Sequence, residues 1–244
     1  MNLTLSNRMN QARAWFVHLY TSLGLAAALL ALIAIFNGNL ENAFAYLGIA
    51  LFIDATDGTL ARAWKVTVWA PQFDGRKLDD ITDYINYGFL PLFMLYRFNM
   101  VEGSFGVVTL AITLIAASYG FCQKAAKTNE GYFTGFPNFW NVVVFYMFLL
   151  RTPPTMNAIV LLVLAFLVFV PMEFVSFSTR PFRRLTFVMA GLYGLALFYL
   201  VLNFHTVQPP VVIATLIFPV YYIGISAYLF ITRRLDDRRL SQEA

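Results

Sequence analysis

The residues best able to do chemistry lie between Asp54 and Asp83, in DATDGTLARAWKVTVWAPQFDGRKLDDITD, which holds six of the chain's thirteen acidic residues between two apolar blocks. Asp54, Asp57, Gly58, Ala61 and Arg62 stand at i, i+3, i+4, i+7 and i+8, a spacing that places all five on one helical face. Asp79 and Asp83 are four apart and share a face of the next helix. Asp80 turns away from them, and Asp74 falls in the connection. Two joined helices therefore present two carboxylate pairs at similar depth. Carboxylates beside apolar sequence are costly, and four together also repel. A divalent cation relieves both costs, and hard oxygen ligands favour Mg2+, Mn2+ or Ca2+. Four bridging carboxylates suit a centre of two metal ions that clamps a phosphoryl group. Gly58 and Ala61 let a bulky ligand approach the backbone, Arg62 suits a phosphate, and Gly75 serves a turn or a close approach. The ordinary alternative is a helical hairpin whose loop is flanked by charge.

The elements that must position these residues are read from composition. The chain has 244 residues, 59% hydrophobic and 12% charged, with a mean hydropathy of +0.66, which excludes an ordinary soluble domain. A membrane span needs roughly 20 mostly apolar residues. Eight segments qualify as candidates: 15–36, 42–62, 79–98, 105–123, 139–150, 156–174, 187–203 and 211–232. Backbone polar groups in lipid must be satisfied internally, so these are expected to be helices. The expected fold is an all-α integral membrane protein, one membrane-embedded domain over residues 1–244.

Fifteen of the seventeen Lys and Arg residues fall in the ends and even-numbered connections of that scheme; Arg97 and Arg151 fall in the others. The positive-inside rule then puts both termini in the cytoplasm. The basic excess suits anionic lipid headgroups and calls for no nucleic acid. The opening stretch NRMNQARAWFVHLY suits the membrane surface. No small-residue cleavage site follows the first apolar segment, which reads as a retained helix. The one cysteine, Cys122, reads as a small buried residue.

The pattern Asp54-x2-Asp57-Gly58-x2-Ala61-Arg62, then Gly75-x3-Asp79-x3-Asp83, resembles the signature of the CDP-alcohol phosphotransferases. The resemblance implies a six-helix core, here with two further helices, and a homodimer. It implies that an alcohol hydroxyl attacks the lipid-bearing phosphorus of CDP-diacylglycerol and that CMP leaves. By position, Asp54, Asp57, Asp79 and Asp83 would hold two ions of Mn2+ or Mg2+, with Asp83 also the general base. Asp57, Gly58, Ala61 and Gly75 would border the cytidine nucleotide, and Arg62 would meet its diphosphate. Twelve residues separate Arg62 from Gly75, more than in the commonest form of the family. That spacing and the run AKTNEGYFTGFPNFWN (126–141) resemble the branch whose alcohol is choline. The implied place of action is the cytoplasmic edge of a bacterial inner membrane, where a soluble alcohol and a lipid nucleotide both arrive.

Choline is a quaternary ammonium, usually received by aromatic faces with or without a carboxylate. Asn86 and Tyr87 follow Asp83 at i+3 and i+4 and are expected to face the metal site. Trp140 and Asn141 open the fifth span after Tyr132 and Phe136, and Glu173 is expected to end the sixth. Lys124 and Lys127 are candidates for the lipid phosphate. For the aromatics the alternative is packing or interface anchoring, and for the lysines simple cytoplasmic charge. His18 and His205 have no partner constellation in the sequence. Two other functions compete: the same chemistry with serine, inositol or glycerol phosphate as acceptor, and a divalent-cation transporter. Against the transporter, the acids gather on one side and form no file across the bilayer.

Overall fold

The structure is a computed structural model that describes residues 5–123, 132–174 and 183–243. Its packing separates into two compact units, residues 1–98 and 99–244.

In the first unit, α1 (Leu5–Phe36) is one continuous helix of 32 residues. At about 1.5 Å per residue it is roughly 48 Å long, more than the ~30 Å hydrocarbon layer. The opening stretch thus forms the first turns of this helix and not a separate surface segment. The chain reverses at Gly38, where φ is +74°, a conformation natural to glycine. Asn39 then caps α2 (Leu40–Ala63), its side-chain oxygen accepting the N–H of Asn42 at 3.0 Å. The two helices pack on each other, and both carry small buried residues: Ala27, Ala28, Ala31 and Ala34 on α1, Ala43 and Ala50 on α2. Small side chains let membrane helices approach closely, where apolar burial alone gives little drive to associate.

A single turn, α3 (Val66–Trp69), ends at Ala70, which leaves the helical conformation before Pro71, and residues before proline disfavour the helical region. Asp74 caps α4 (Gly75–Asp83), accepting the N–H of Lys77 at 3.0 Å. This gives a carboxylate outside the helical face its own structural task. The helix continues through a π turn, Tyr84–Phe89, into α5 (Leu90–Arg97). Pro91 accounts for the widening: it has no N–H to donate, and its ring crowds the carbonyl four residues back, at Tyr87.

The second unit contains α6 (Gly103–Cys122), α7 (Trp140–Leu149), α8 (Pro154–Phe169), α9 (Arg183–Leu202), α10 (Pro209–Thr215) and α11 (Ile217–Glu243). α6 packs on α8. Two short strands, β1 (Phe133–Thr134) and β2 (Glu173–Phe174), pair antiparallel with Phe133 opposite Phe174 and Thr134 opposite Glu173. The expected sixth span therefore stops early. α8 ends at Phe169, Val170 is extended, and Pro171 cannot continue the helix. Glu173 lies in a strand and not at a helix end. Cys122, the last residue of α6, is exposed and not buried.

Among the described residues, five helical stretches are long and apolar enough to cross a membrane: Leu5–Phe36, Leu40–Ala63, Gly103–Cys122, Arg184–Leu202 and Pro209–Thr232. Trp140–Leu149 and Pro154–Phe169 are apolar but shorter. The architecture is that of an all-α, multi-pass membrane protein.

Candidate metal centre

Two adjoining helices, α2 and α4, carry the carboxylates, and helical phase sets where they meet. Asp54 and Asp57 are on α2, one turn apart, and Asp79 lies one turn into α4. Each offers an oxygen within 4.8 Å of the others. Asp57 is buried at 6% exposure, and Asp54 and Asp79 are half-buried. Asp83, the fourth expected ligand, is half-buried at the end of α4 and outside this group of three.

Two hydroxyls from other elements orient the α2 carboxylates. Thr21 of α1 donates to Oδ2 of Asp57 at 2.7 Å, and Tyr87 of the π turn donates to Oδ2 of Asp54 at 2.7 Å. A carboxylate has about four lone-pair directions, so each of these bonds leaves capacity for a cation. Hard oxygens gathered this closely, with like charges that repel at such spacing, fit a divalent metal ion.

The small residues of the motif differ in their surroundings. A Cβ at Gly58 would meet only the Arg62 guanidinium, at 3.4 Å, so that face of α2 is open. Arg62 itself is exposed, its guanidinium donating to the Thr59 hydroxyl at 3.1 Å. Ala61 packs against the cluster formed by Ala14, Val17, Val66 and Ala70. At Gly75 a Cβ would lie 2.7 Å from Cε1 of His18. The space that Gly75 leaves is thus filled by the protein. His18 is 5% exposed, its ring centroid 4.4 Å from that of Phe73 and 5.7 Å from that of Trp15. The sequence shows no partners for His18; in the fold its surroundings are aromatic, and its Nε2 is buried without a hydrogen bond.

The remaining candidates separate. Tyr87 reaches the carboxylates, as its spacing predicts. Asn86 instead turns to the α1 interface, its amide nitrogen donating to the Gly24 carbonyl at 3.1 Å and to the Thr82 carbonyl at 3.0 Å. Tyr132 and Trp140 are buried in the second unit. The Trp140 indole N–H donates to Oδ1 of Asn138 at 3.0 Å, and its ring meets Phe136 edge-on at 5.0 Å. Asn141, the second residue of α7, is half-buried, its side-chain oxygen accepting the N–H of Val142 at 2.9 Å. Glu173 is half-buried in β2. Lys124 and Lys127 lie outside the described residues. Sequence reasoning missed Thr21; the available signal was a hydroxyl at i+3 from His18 and i−3 from Gly24, on the small-residue face of α1.

The chain belongs to the CDP-alcohol phosphatidyltransferase family, which it matches over residues 18–171. It is similar to a phosphatidylcholine synthase of Pseudomonas aeruginosa, 38% identical over 186 residues that cover 76% of this chain and 78% of that one. A phosphatidylcholine synthase of Legionella pneumophila is 34% identical over 223 residues, 88% of each chain. A third, from Borreliella burgdorferi, is 37% identical over 179 residues, covering 73% of this chain and 76% of that one.

Proposed function

We propose that this protein transfers the phosphatidyl group of CDP-diacylglycerol to choline, giving phosphatidylcholine and CMP. The observation that carries the reading is the meeting of Asp54, Asp57 and Asp79 on two adjoining helices, in a chain whose relatives are named for phosphatidylcholine synthesis.

In this reading Asp54, Asp57 and Asp79, with Asp83, hold divalent metal, two ions of Mn2+ or Mg2+. Bound metal supplies positive charge beside the diphosphate, which lowers the cost of the negative charge that CMP carries away. The chain's own groups do the rest. Asp83 takes the proton from the choline hydroxyl as its oxygen bonds to the lipid-bearing phosphorus. The bond from that phosphorus to the CMP oxygen breaks, and CMP leaves with the electron pair. Gly58 leaves room for the nucleotide beside α2, with Ala61 and Gly75 at its border, and Arg62 meets the diphosphate. Tyr132, Trp140, Asn141 and Glu173, with Asn86 and Tyr87, are the candidates for the choline end. Lys124 and Lys127 are assigned to the lipid phosphate. The remainder of the reading comprises eight spans, a homodimer, and an inner-membrane location with the site facing the cytoplasm. The exposed basic Arg62, Lys65, Arg76 and Lys77 around the α2–α4 connection favour that facing.

Purified protein in vesicles, given CDP-diacylglycerol, Mn2+ or Mg2+ and labelled choline, is expected to form labelled phosphatidylcholine and an equal amount of CMP. No labelled lipid under either metal would refute the proposal. Product from serine or inositol but none from choline would keep the class and change the acceptor. Metal flux into the vesicles without transfer would support the transporter.

A further inference from the structure

The π turn ties three helices together through two adjacent residues. Asn86, 2% exposed, bonds to the Gly24 carbonyl of α1. The packing there is close, since a Cβ at Gly24 would lie 2.6 Å from Cγ2 of Thr82. Tyr87, the next residue, bonds to Asp54 of α2. Thr21, one turn before Gly24 on α1, bonds to Asp57. Both carboxylates that α2 contributes are therefore gripped by hydroxyls from elements that the same turn holds in register.

We propose that Thr21 and Tyr87 are positioning residues of the metal centre, their hydroxyls fixing the Asp57 and Asp54 carboxylates in the orientation that binds a cation, and that the π turn presents Tyr87 for this task. The inference rests on the reading that these carboxylates hold a divalent metal. Like-charged carboxylates, if free to rotate, turn apart. A hydroxyl donated to one oxygen of each prevents that and leaves the other oxygen directed elsewhere. Both bonds are short, as bonds to an ionised acceptor are. Tyr87 is 8% exposed, so water competes little for its hydroxyl. A π turn also shifts the helical phase between the residues before it and those after it. Pro91 causes that turn, so a residue that touches no carboxylate controls which side chain reaches Asp54.

The test is Mn2+ titration of the purified full chain in detergent, monitored by the electron paramagnetic resonance of free Mn2+. Tyr87→Phe keeps the ring and removes the hydroxyl; Thr21→Val removes the hydroxyl at similar volume. Each is expected to weaken Mn2+ binding about 10- to 100-fold, the range seen when outer partners of metal ligands are removed. Thr21→Ser is expected to restore binding close to wild type, and Pro91→Ala to weaken it as Tyr87→Phe does. In turnover the Mn2+ needed for half activation rises by the same factor, with kcat at saturating metal changed less. If Thr21→Val does not fold, Tyr87→Phe alone carries the test. Wild-type affinity in a folded Tyr87→Phe protein would overturn the inference. A wild type that binds no Mn2+ would overturn the metal reading and the inference with it. Failure to use choline, with Mn2+ affinities shifted as expected, would overturn only the proposed acceptor.

Discussion

In residues 1–98 two buried hydroxyls, those of Thr21 and Tyr87, donate to carboxylates, whereas in residues 99–244 the buried amides of Asn138 and Asn157 donate to backbone carbonyls. Thr21 and Tyr87 each donate to an aspartate that keeps further acceptor capacity. In the second unit, Asn138 donates to the Ala117 carbonyl at 3.2 Å and accepts from Trp140, and Asn157 donates to the Met100 carbonyl at 2.8 Å. The glycines separate in another way, within the first unit: Gly58 lies on an open face, while a Cβ at Gly75 would collide with the His18 ring, as one at Gly120 would with the Asn138 amide and one at Gly135 with the Val168 carbonyl oxygen. Polar groups paired within the protein stiffen a scaffold. Polar groups left with capacity are where a ligand belongs.

The largest expected effect that tests this contrast is on the carboxylates. Asp57→Asn, nearly isosteric, is expected to lower turnover by more than the ~100-fold upper range for an outer partner while the melting temperature stays close to wild type. A large loss of stability with activity retained would make Asp57 a structural residue and erase the contrast. On the other side, Trp140→Ala is expected to destabilise by about 3–5 kcal/mol, as deletion of a buried large aromatic does. Its Mn2+ affinity, measured well below the melting transition, is expected to match wild type, because every proposed metal ligand lies in residues 1–98. Loss of choline affinity without loss of stability would instead return Trp140 to the choline pocket.

Gly75 and Gly58 sharpen the comparison within the motif itself. Gly75→Ala is expected to cost about 1–3 kcal/mol through overpacking against His18, and the double variant with His18→Ala is expected to recover most of it in thermal denaturation. No recovery would mean that the glycine answers to something other than that ring. Gly58→Ala should leave stability unchanged or raise it by up to ~1 kcal/mol, the helix-propensity gain. Its KM for CDP-diacylglycerol is expected to rise about tenfold, equivalent to ~1.4 kcal/mol. An unchanged KM would remove Gly58 from the nucleotide site.

These residues also mark how far the sequence could be read. The pairing of Asp54 with Asp57 was legible because a regular helix has a fixed period, so spacing alone gives their shared face; Asp79 joins them from α4, while Asp83, its partner by spacing, stands outside the group of three. Tyr87 was legible in position but not in partner. Nothing in a one-dimensional pattern says which carboxylate a phenol will meet across two helices. Thr21 was hidden among the small residues of α1, where a threonine commonly bonds its own backbone. Glu173 was misplaced because apolar sequence runs through Val170 up to Pro171 and beyond, and hydropathy does not register a missing N–H. Pro91 was visible in the same way, and its consequence, the π turn, was an irregularity that the regular period could not anticipate.

The pairing of β1 with β2 bears on how the protein enters its membrane. α7 has ten residues, about 15 Å of helix, or half the hydrocarbon thickness. A newly made segment of that length cannot settle across a bilayer alone. The chain from Thr134 to Glu173 comes back to its own starting point at the strand pair, yet α8 packs on α6 and α7 meets α10. The order of synthesis then matters: α8 finds a partner already made, whereas α7 must wait for a helix that follows it in the chain.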